Sequence, residues 1–330
     1  MHGWIILDKP LGLGSTQGVS AVKRVLRDAG YAKVKVGHGG TLDPLATGVL
    51  PIAIGEATKL AGRMLDSDKV YEFTIGFGVQ TDTLDAEGVP VATSDVRPTL
   101  AAVAAVLPRF TGPIAQVPPA YSALKVDGAR AYDLARAGEE VVLASRDVVV
   151  HALSRHPSES GDDASWADQQ KRGPRFRGGD EERADDVRTD EITLTAHVSK
   201  GTYIRSLARD IAVALGTVGH VTYLRRTKSG PFDLSHAISL DIMGEAGRAR
   251  ALEHHLLPLR AGLDDIPALP LTPAQAGALR QGRVLDGIAN EDGRYLACAD
   301  DVPVALVEVR DGNVRVVRGF NIDMMSKEHT

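Results

Sequence analysis

Apolar positions along the chain follow two periods, and the alternation between them lays out the elements. Trp4 to Leu7 form a short apolar run that predicts a strand, closed by Asp8-Lys9-Pro10. Val19, Val22, Val25 and Leu26 then recur at helical spacing, with Lys23, Arg24 and Arg27 off the stripe and Gly30 as the stop. Val70 to Gly78 predicts a strand with Tyr71, Phe73, Ile75 and Phe77 on one face. Leu100 to Phe110 predicts a helix, Val141 to Leu153 a strand, and Ile192, Leu194, Ala196 and Val198 alternate as another. Ile204, Leu207, Ala208, Ile211 and Leu215 make a second helical stripe, and His220 to Lys228 a strand with a basic end. Leu263 to Leu271 has two prolines and no period and reads as a linker. Beyond it, Thr272 caps a short helix with Pro273 at its first position and Gly282 past its end. Tyr295–Ala299, Val304–Val309 and Val314–Val317 predict strands, the last two joined at Asp311-Gly312-Asn313.

One stretch follows neither period. Ser154 to Asp190 has almost no apolar content, and such a segment buries too little surface to offset ordering entropy. It reads as a disordered insertion between two strands. Its RGPRFRGG run also has the look of an RNA tether. The segment carries ten acidic and seven basic residues, a net of −3 within the chain's −5. An acidic balance does not advertise nucleic-acid binding, so any RNA surface requires basic residues clustered on one face. The single cysteine, Cys298, excludes an internal disulfide and a cysteine-based metal site. No apolar run reaches the roughly 18 residues of a membrane span, and MHGWIILDKP lacks the basic start of a signal peptide. A cytoplasmic protein is expected.

The candidate chemistry sits in Val36 to Gly55, VGHGGTLDPLATGVLPIAIG. Gly37, Gly39 and Gly40 surround His38, and Asp43 follows, restricted by Pro44. Thr41, Leu42, Leu45, Val49, Leu50, Ile52 and Ile54 would pack this segment onto a core and hold one carboxylate rigidly beside a glycine-lined hollow. The plainer alternative makes Asp43 an N-cap, Pro44 the first position and Gly48 the end of a one-turn helix. A second feature is Arg205, a cation in the first turn of a predicted helix, where it opposes the helix dipole. A carboxylate or phosphate partner would resolve that conflict. Asp82 and Asp85 in GVQTDTLDAEG suggest a metal loop, but the full spacing of a calcium hand is missing.

GHGGTLDPLATGVLPIAIGEATK resembles the catalytic motif of the TruB family of tRNA pseudouridine synthases. LDKP with Gly12 and Ser15, DSDKVYEF, KGTYIRSLARD and the LRR at Leu224 resemble further motifs of that family. The segment from Gln116 to Lys125, stiffened by Pro118-Pro119, resembles its mobile element that closes over the T-arm of tRNA. The resemblance implies an α/β (α+β type) pseudouridine synthase fold with a central mixed, mainly antiparallel sheet. Residues 1–262 would be the catalytic domain, with 154–190 inserted, 263–271 the linker and 272–330 a small β-rich, PUA-like domain. It implies isomerisation of the T-loop uridine, position 55 of tRNA. Asp43 would be nucleophile or ribose-directed base, and Arg205 its ion-pair support. Tyr71, Tyr203 and Leu224 would sandwich the flipped base, and His38 would contact the T-loop. No cofactor, no metal and no obligatory protein partner is implied.

Read from the residues alone, Tyr71 and Leu224 are core side chains and Arg205 a surface arginine. A glycosidase would need a second carboxylate about 5–10 Å from Asp43, and none is evident near it in sequence. A non-catalytic tRNA-binding or folding module, and a guide-RNA-dependent synthase sharing the core motifs, remain as alternatives.

Overall fold

The computed structural model describes residues 1–122, 124–126, 128–139, 141, 143–156 and 187–322. The chain is mixed α/β and divides into two compact units, Met1–Ser67 with Lys228–Thr330, and Asp68–Thr227. Among the described residues no helix is long and apolar enough to cross a membrane.

In the first unit the Gly3–Lys9 strand runs antiparallel to Thr47–Ile54 along its whole length, Gly3 opposite Ile54 and Lys9 opposite Gly48. Ala237–Ile238 adds to Gly3–Lys9 in parallel, and Val36–His38 adds to Thr47–Ile54 antiparallel. Trp4–Leu7 and Val49–Ile54 are continuous apolar runs within these strands because both of their faces are covered. The Ser15–Asp28 helix lies on one face, where a Cβ on Gly18 would touch the side chains of Leu7 and Leu50 at 3.3 Å. On the other face Trp4, Ile6, Val49 and Ala53 join a buried cluster with Leu60, Met64, Phe232, Leu259, Leu263, Leu296 and Phe320.

The C-terminal sheet has the strand order Ala268–Pro270, Gly293–Ala299, Val302–Arg310, Asn313–Gly319. The predicted linker therefore contains a strand: Ala268–Pro270 runs parallel to Gly293–Ala299. The prolines misled because Pro270 closes an edge strand, a position that tolerates a missing donor. Thr272 caps the Pro273–Arg280 helix as expected, accepting from the Gln275 N–H while the Gln275 side chain accepts from the Thr272 N–H. The hairpin turns on Asp311 and Gly312, both left-handed at φ 50° and 73°, with Arg310 paired to Asn313.

The second unit carries the order Gly219–Ser229 (as far as Thr227), Lys69–Phe77, Glu191–Val198, Arg146–Arg155, Gly112–Gln116. Lys69–Phe77 and Glu191–Val198 are antiparallel, as are the next two pairs. The Ile204–Ala214 helix buries Ile204, Leu207, Ala208 and Ile211 of the stripe read in the sequence, with Ala212 beside them, while Leu215 is the C-cap and only half-buried. The predicted 100–110 helix is α-helical only over Leu100–Val106 and tightens to a 3₁₀ helix at Leu107–Phe110, where Pro108 offers no N–H.

The polar stretch 154–190 joins two antiparallel neighbours, as an insertion between strands would. Its ends are ordered, against expectation. Ser154 and Arg155 pair with Thr195 and Leu194. Val187 and Asp190 are held by the Leu100 N–H at 3.0 Å and by Arg97 at 2.6 Å. Backbone pairing orders these ends without apolar content. The rest of the expected disorder, 157–186, falls outside the described residues.

Trp4 and Phe232 pack with ring centroids 5.4 Å apart, and both are fully buried. Phe232→Ala is expected to lower the unfolding free energy by about 3–5 kcal/mol, read from urea denaturation.

Candidate active site

Asp43 sits between two strand ends. The Val36–His38 strand pairs with Thr47–Ile54, His38 opposite Ile52, so residues 39–46 form the connection. That connection is a bend, with the Ala46 N–H on the Asp43 carbonyl at 3.1 Å, and no helix. The N-cap alternative for Asp43 is thereby removed. Gly39 is required by close approach: a Cβ there would lie 2.5 Å from the Met64 Cβ. The Gly40 N–H donates to His38 Nδ1 at 3.4 Å, and Asp43 itself is half-buried.

Two polar side chains from the N-terminal LDKP…GS stretch hold this loop. Ser15 accepts from the Leu42 N–H at 2.7 Å and donates to its carbonyl at 3.0 Å. Lys9 is fully buried, and its ammonium donates to the carbonyls of Pro10, Leu13 and Pro44, the last at 3.2 Å. The Gly12 N–H donates to the same Pro44 carbonyl at 2.9 Å. An ammonium has three donors, and three carbonyls meet them. The sequence reading took this motif for a strand-to-turn junction and missed Lys9, whose signal was a lysine closing, after Asp8, a strand with the apolar run Trp4–Leu7.

In the second unit Tyr203 is the N-cap of the Ile204–Ala214 helix. Its backbone is gripped by the fully buried Gln116, which accepts from the Tyr203 N–H at 2.8 Å and donates to its carbonyl at 3.1 Å. The Arg146 guanidinium lies over its ring, 4.8 Å from the centroid. Arg205 is 6% exposed, so it is not a surface arginine. It donates to the carbonyls of Thr83 at 2.8 Å and Tyr121 at 2.9 Å, and pairs with Asp85 Oδ2 at 3.2 Å. The anionic partner that a first-turn cation called for is thus met by Asp85, a residue the sequence reading had considered only for a metal loop. Asp82 is engaged too, accepting from the N–H groups of Thr83 and Val89 at 2.9 Å. A hydrogen bond to Asp82, burial and the charge of that carboxylate hold the Tyr121 hydroxyl above the ordinary tyrosine pKa.

Tyr71 is half-buried on Lys69–Phe77, and Leu224 is buried on the neighbouring Gly219–Ser229 strand. His38 therefore ends the strand that leads into the Asp43 loop, Tyr203 and Arg205 share one helix start, and Tyr71 and Leu224 stand on adjacent strands. The basic residues expected off the first helical stripe are also clustered. Lys23, Arg24 and Arg27 line a cleft of 920 Å³ together with Lys33 and Lys35.

Replacing Arg205 leaves Asp85 buried without its cation. Arg205→Met is expected to cost about 3–5 kcal/mol in denaturant unfolding, and adding Asp85→Asn to recover part of that loss. Additive losses in the double variant would show that the two side chains do not act as a pair.

Two family models match the sequence. One describes the N-terminal domain of TruB family pseudouridylate synthase and covers residues 24–165. The other describes the tRNA pseudouridylate synthase B C-terminal domain and covers residues 205–264. The tRNA pseudouridine synthase B of Novosphingobium aromaticivorans is 64% identical over 98% of this chain and 98% of its own length. That of Zymomonas mobilis is 56% identical over 97% and 96%. Among solved structures, an H/ACA RNP bound to a substrate RNA containing 2'-deoxyuridine superposes with a TM-score of 0.66, at 22% identity over 97% of this chain and 85% of that one. A Cbf5-Nop10-Gar1 complex gives 0.66 at 23%, with the same coverage. At that identity the likeness is one of fold.

Proposed function

The chain belongs to the TruB family of pseudouridylate synthases and forms pseudouridine in tRNA, and we propose that its target is the T-loop uridine at position 55 and that Asp43 carries the reaction. The observation that supports Asp43 most is its loop: a half-buried carboxylate on a segment tied down by the Lys9 ammonium and the Ser15 hydroxyl. A nucleophile or base works best when its position is fixed before substrate arrives.

The reaction breaks the C–N glycosidic bond, turns the uracil and rejoins it to the ribose through C5. Bonds broken and formed balance without any change of oxidation state, so we propose that neither cofactor nor metal takes part. The target base must leave its stack to be reached. In this proposal Tyr71, Tyr203 and Leu224 hold it between them, and His38 contacts the T-loop it has left. Arg205 supports the Asp43 carboxylate. The cation is suited to that work because its guanidinium is already buried and aligned by Asp85, Thr83 and Tyr121.

Binding is assigned to the basic cleft beside the first helix, which supplies the cationic face that a net charge of −5 hides. Residues 1–262 are taken as the catalytic domain, 272–330 as a PUA-like module, and the enzyme as a cytoplasmic one acting without an obligatory protein partner or guide RNA. Purified protein converting an unmodified T-arm stem-loop with no additions, and after exhaustive EDTA treatment, supports both statements; a need for guide RNA or metal overturns the corresponding one.

Lys33→Ala with Lys35→Ala is expected to weaken tRNA binding and to lower the slope of log K against log salt by roughly 0.7–0.9 per lost phosphate contact. An unchanged slope places the RNA elsewhere.

Asp43→Asn separates enzyme from binding module. The amide keeps the size and the Pro44 constraint but cannot act as a carboxylate nucleophile or base. Single-turnover conversion is expected to fall by several orders of magnitude, while tRNA affinity on the same preparation at stated salt changes little. Retained conversion would remove Asp43 from the chemistry.

A further inference from the structure

A second constellation lies in the Asp68–Thr227 unit. Asp68, His151 and His197 are remote in sequence, yet one ligand atom from each lies within 4.8 Å of the other two. His151 Nε2 is 3.2 Å from Asp68 Oδ2, and His197 Nε2 is 3.8 Å from the same oxygen. The two imidazole rings stand 4.8 Å apart, tilted by 48°. All three side chains are exposed or half-exposed. The sequence reading found no metal cluster, because these residues come from three different strands or strand ends.

A local irregularity assembles the group. Val150 pairs with Val198, but the next pair is Ala152 with His197, so the ladder skips a residue. His151 is the extra residue of a β-bulge, and bulges re-aim side chains. His151 and Ala152 together oppose His197, which puts the two imidazoles side by side. His197 is in turn opposite Val70, and strand alternation places Asp68 on the same face as Val70. Tyr71, opposite Ala196, points to the other face.

We propose that Asp68, His151 and His197 form a binding site for a divalent transition-metal ion of the zinc class, distinct from the tRNA-modifying chemistry. Two imidazoles and one carboxylate are a donor set that such ions favour, with water free to complete the shell. Zinc bonds to nitrogen and oxygen are about 2.0–2.2 Å long, which separates tetrahedral neighbours by about 3.4 Å. The donor separations here bracket that value, so small side-chain rotations suffice. Both imidazoles converge on one carboxylate oxygen. A cation between them would engage all three ligand atoms at once.

The test uses the full, tag-free chain, stripped with EDTA and dialysed. Titration with Co²⁺ is expected to give one equivalent bound, with the visible absorption of a cobalt–imidazole site, displaced by Zn²⁺. Changing even an outer-shell partner of a metal ligand costs 10–100-fold in affinity, so His151→Gln and His197→Gln are each expected to weaken binding by at least about tenfold. Asp68→Asn serves as a third variant, which keeps the test open if either histidine variant fails to fold. The melting temperature without metal is expected to stay at the wild-type value, since all three side chains are on the surface. His254→Gln, outside the cluster, is expected to bind as wild type. No binding by the wild type, unchanged binding in the His151→Gln, His197→Gln double variant, or loss of binding in His254→Gln would each overturn the proposal. Pseudouridine formation by His151→Gln is expected to match the wild type; its loss would overturn the claim of a separate site.

Discussion

Burying the Arg205 guanidinium is the constraint on which the Asp68–Thr227 unit depends. An unpaired buried cation costs several kcal/mol, so this side chain is tolerated only with its acceptors in place. Those acceptors come from two separate segments, Thr83 and Asp85 in one loop and Tyr121 in another. Asp85 is oriented in turn by the Thr83 hydroxyl and the Glu87 N–H, and its carbonyl by the Thr81 hydroxyl. The loop accepts a left-handed Leu84 at φ 62°, and the Leu84 carbonyl is taken by the Val221 N–H. Such strain persists only where the surroundings over-determine it. The helix start at Tyr203, the 79–89 loop and the 116–122 segment are thus one polar assembly, with Gln116 and Ser206 adding further ties.

The same logic recurs at Lys9 in a different form. Arg205 meets a carboxylate and two carbonyls, while Lys9 donates to three carbonyls. A compact ammonium can cage itself among backbone oxygens that a planar fork would reach only partly. The result ties the loop bearing Asp43 to the end of a strand, Gly3–Lys9, that is paired along its whole length. Lys9 thus links the sheet to the loop, and Ser15 adds a second tie from the first helix.

Local patterns were legible because they are set by neighbours in sequence. The helical stripe at Ile204 to Ile211, the Thr272 cap and the Asp311-Gly312 turn each follow from residues a few positions apart. The failures have a common cause as well. Pro44 was read for what it favours locally, whereas the loop around Asp43 is shaped by Lys9 and Ser15 from the preceding segment. Ala268–Pro270 became a strand because Gly293–Ala299 offered it an edge, which no local pattern reveals. Asp85 was visible as a carboxylate, but the cation that decides its role lies far along the chain. Motif resemblance singled out Asp43, Tyr203 and Arg205 as candidates, and the residues that hold each of them in place became visible only through tertiary hydrogen bonds.

The Lys69–Phe77 strand shows how one element carries two unrelated surfaces. Its alternation sends Tyr71, Phe73 and Ile75 to one face, and Phe73 and Ile75 are fully buried there. Glu72 and Thr74 go to the other, opposite Thr195 and Thr193, where two threonine hydroxyls meet at 2.9 Å and His156 reaches Thr195 at 3.2 Å. An antiparallel sheet with one packed and one solvated face separates the two sets of constraints. Packing fixes the first, since a changed core volume is felt throughout. The second needs only to remain polar, so imidazoles and carboxylates can collect on it at little cost in stability. A single bulge at His151 is enough to turn that permissiveness into convergence, because it shifts one ladder by one residue and leaves the buried face, Val150 against Val198 and Leu153 against Ala196, paired on both sides of it.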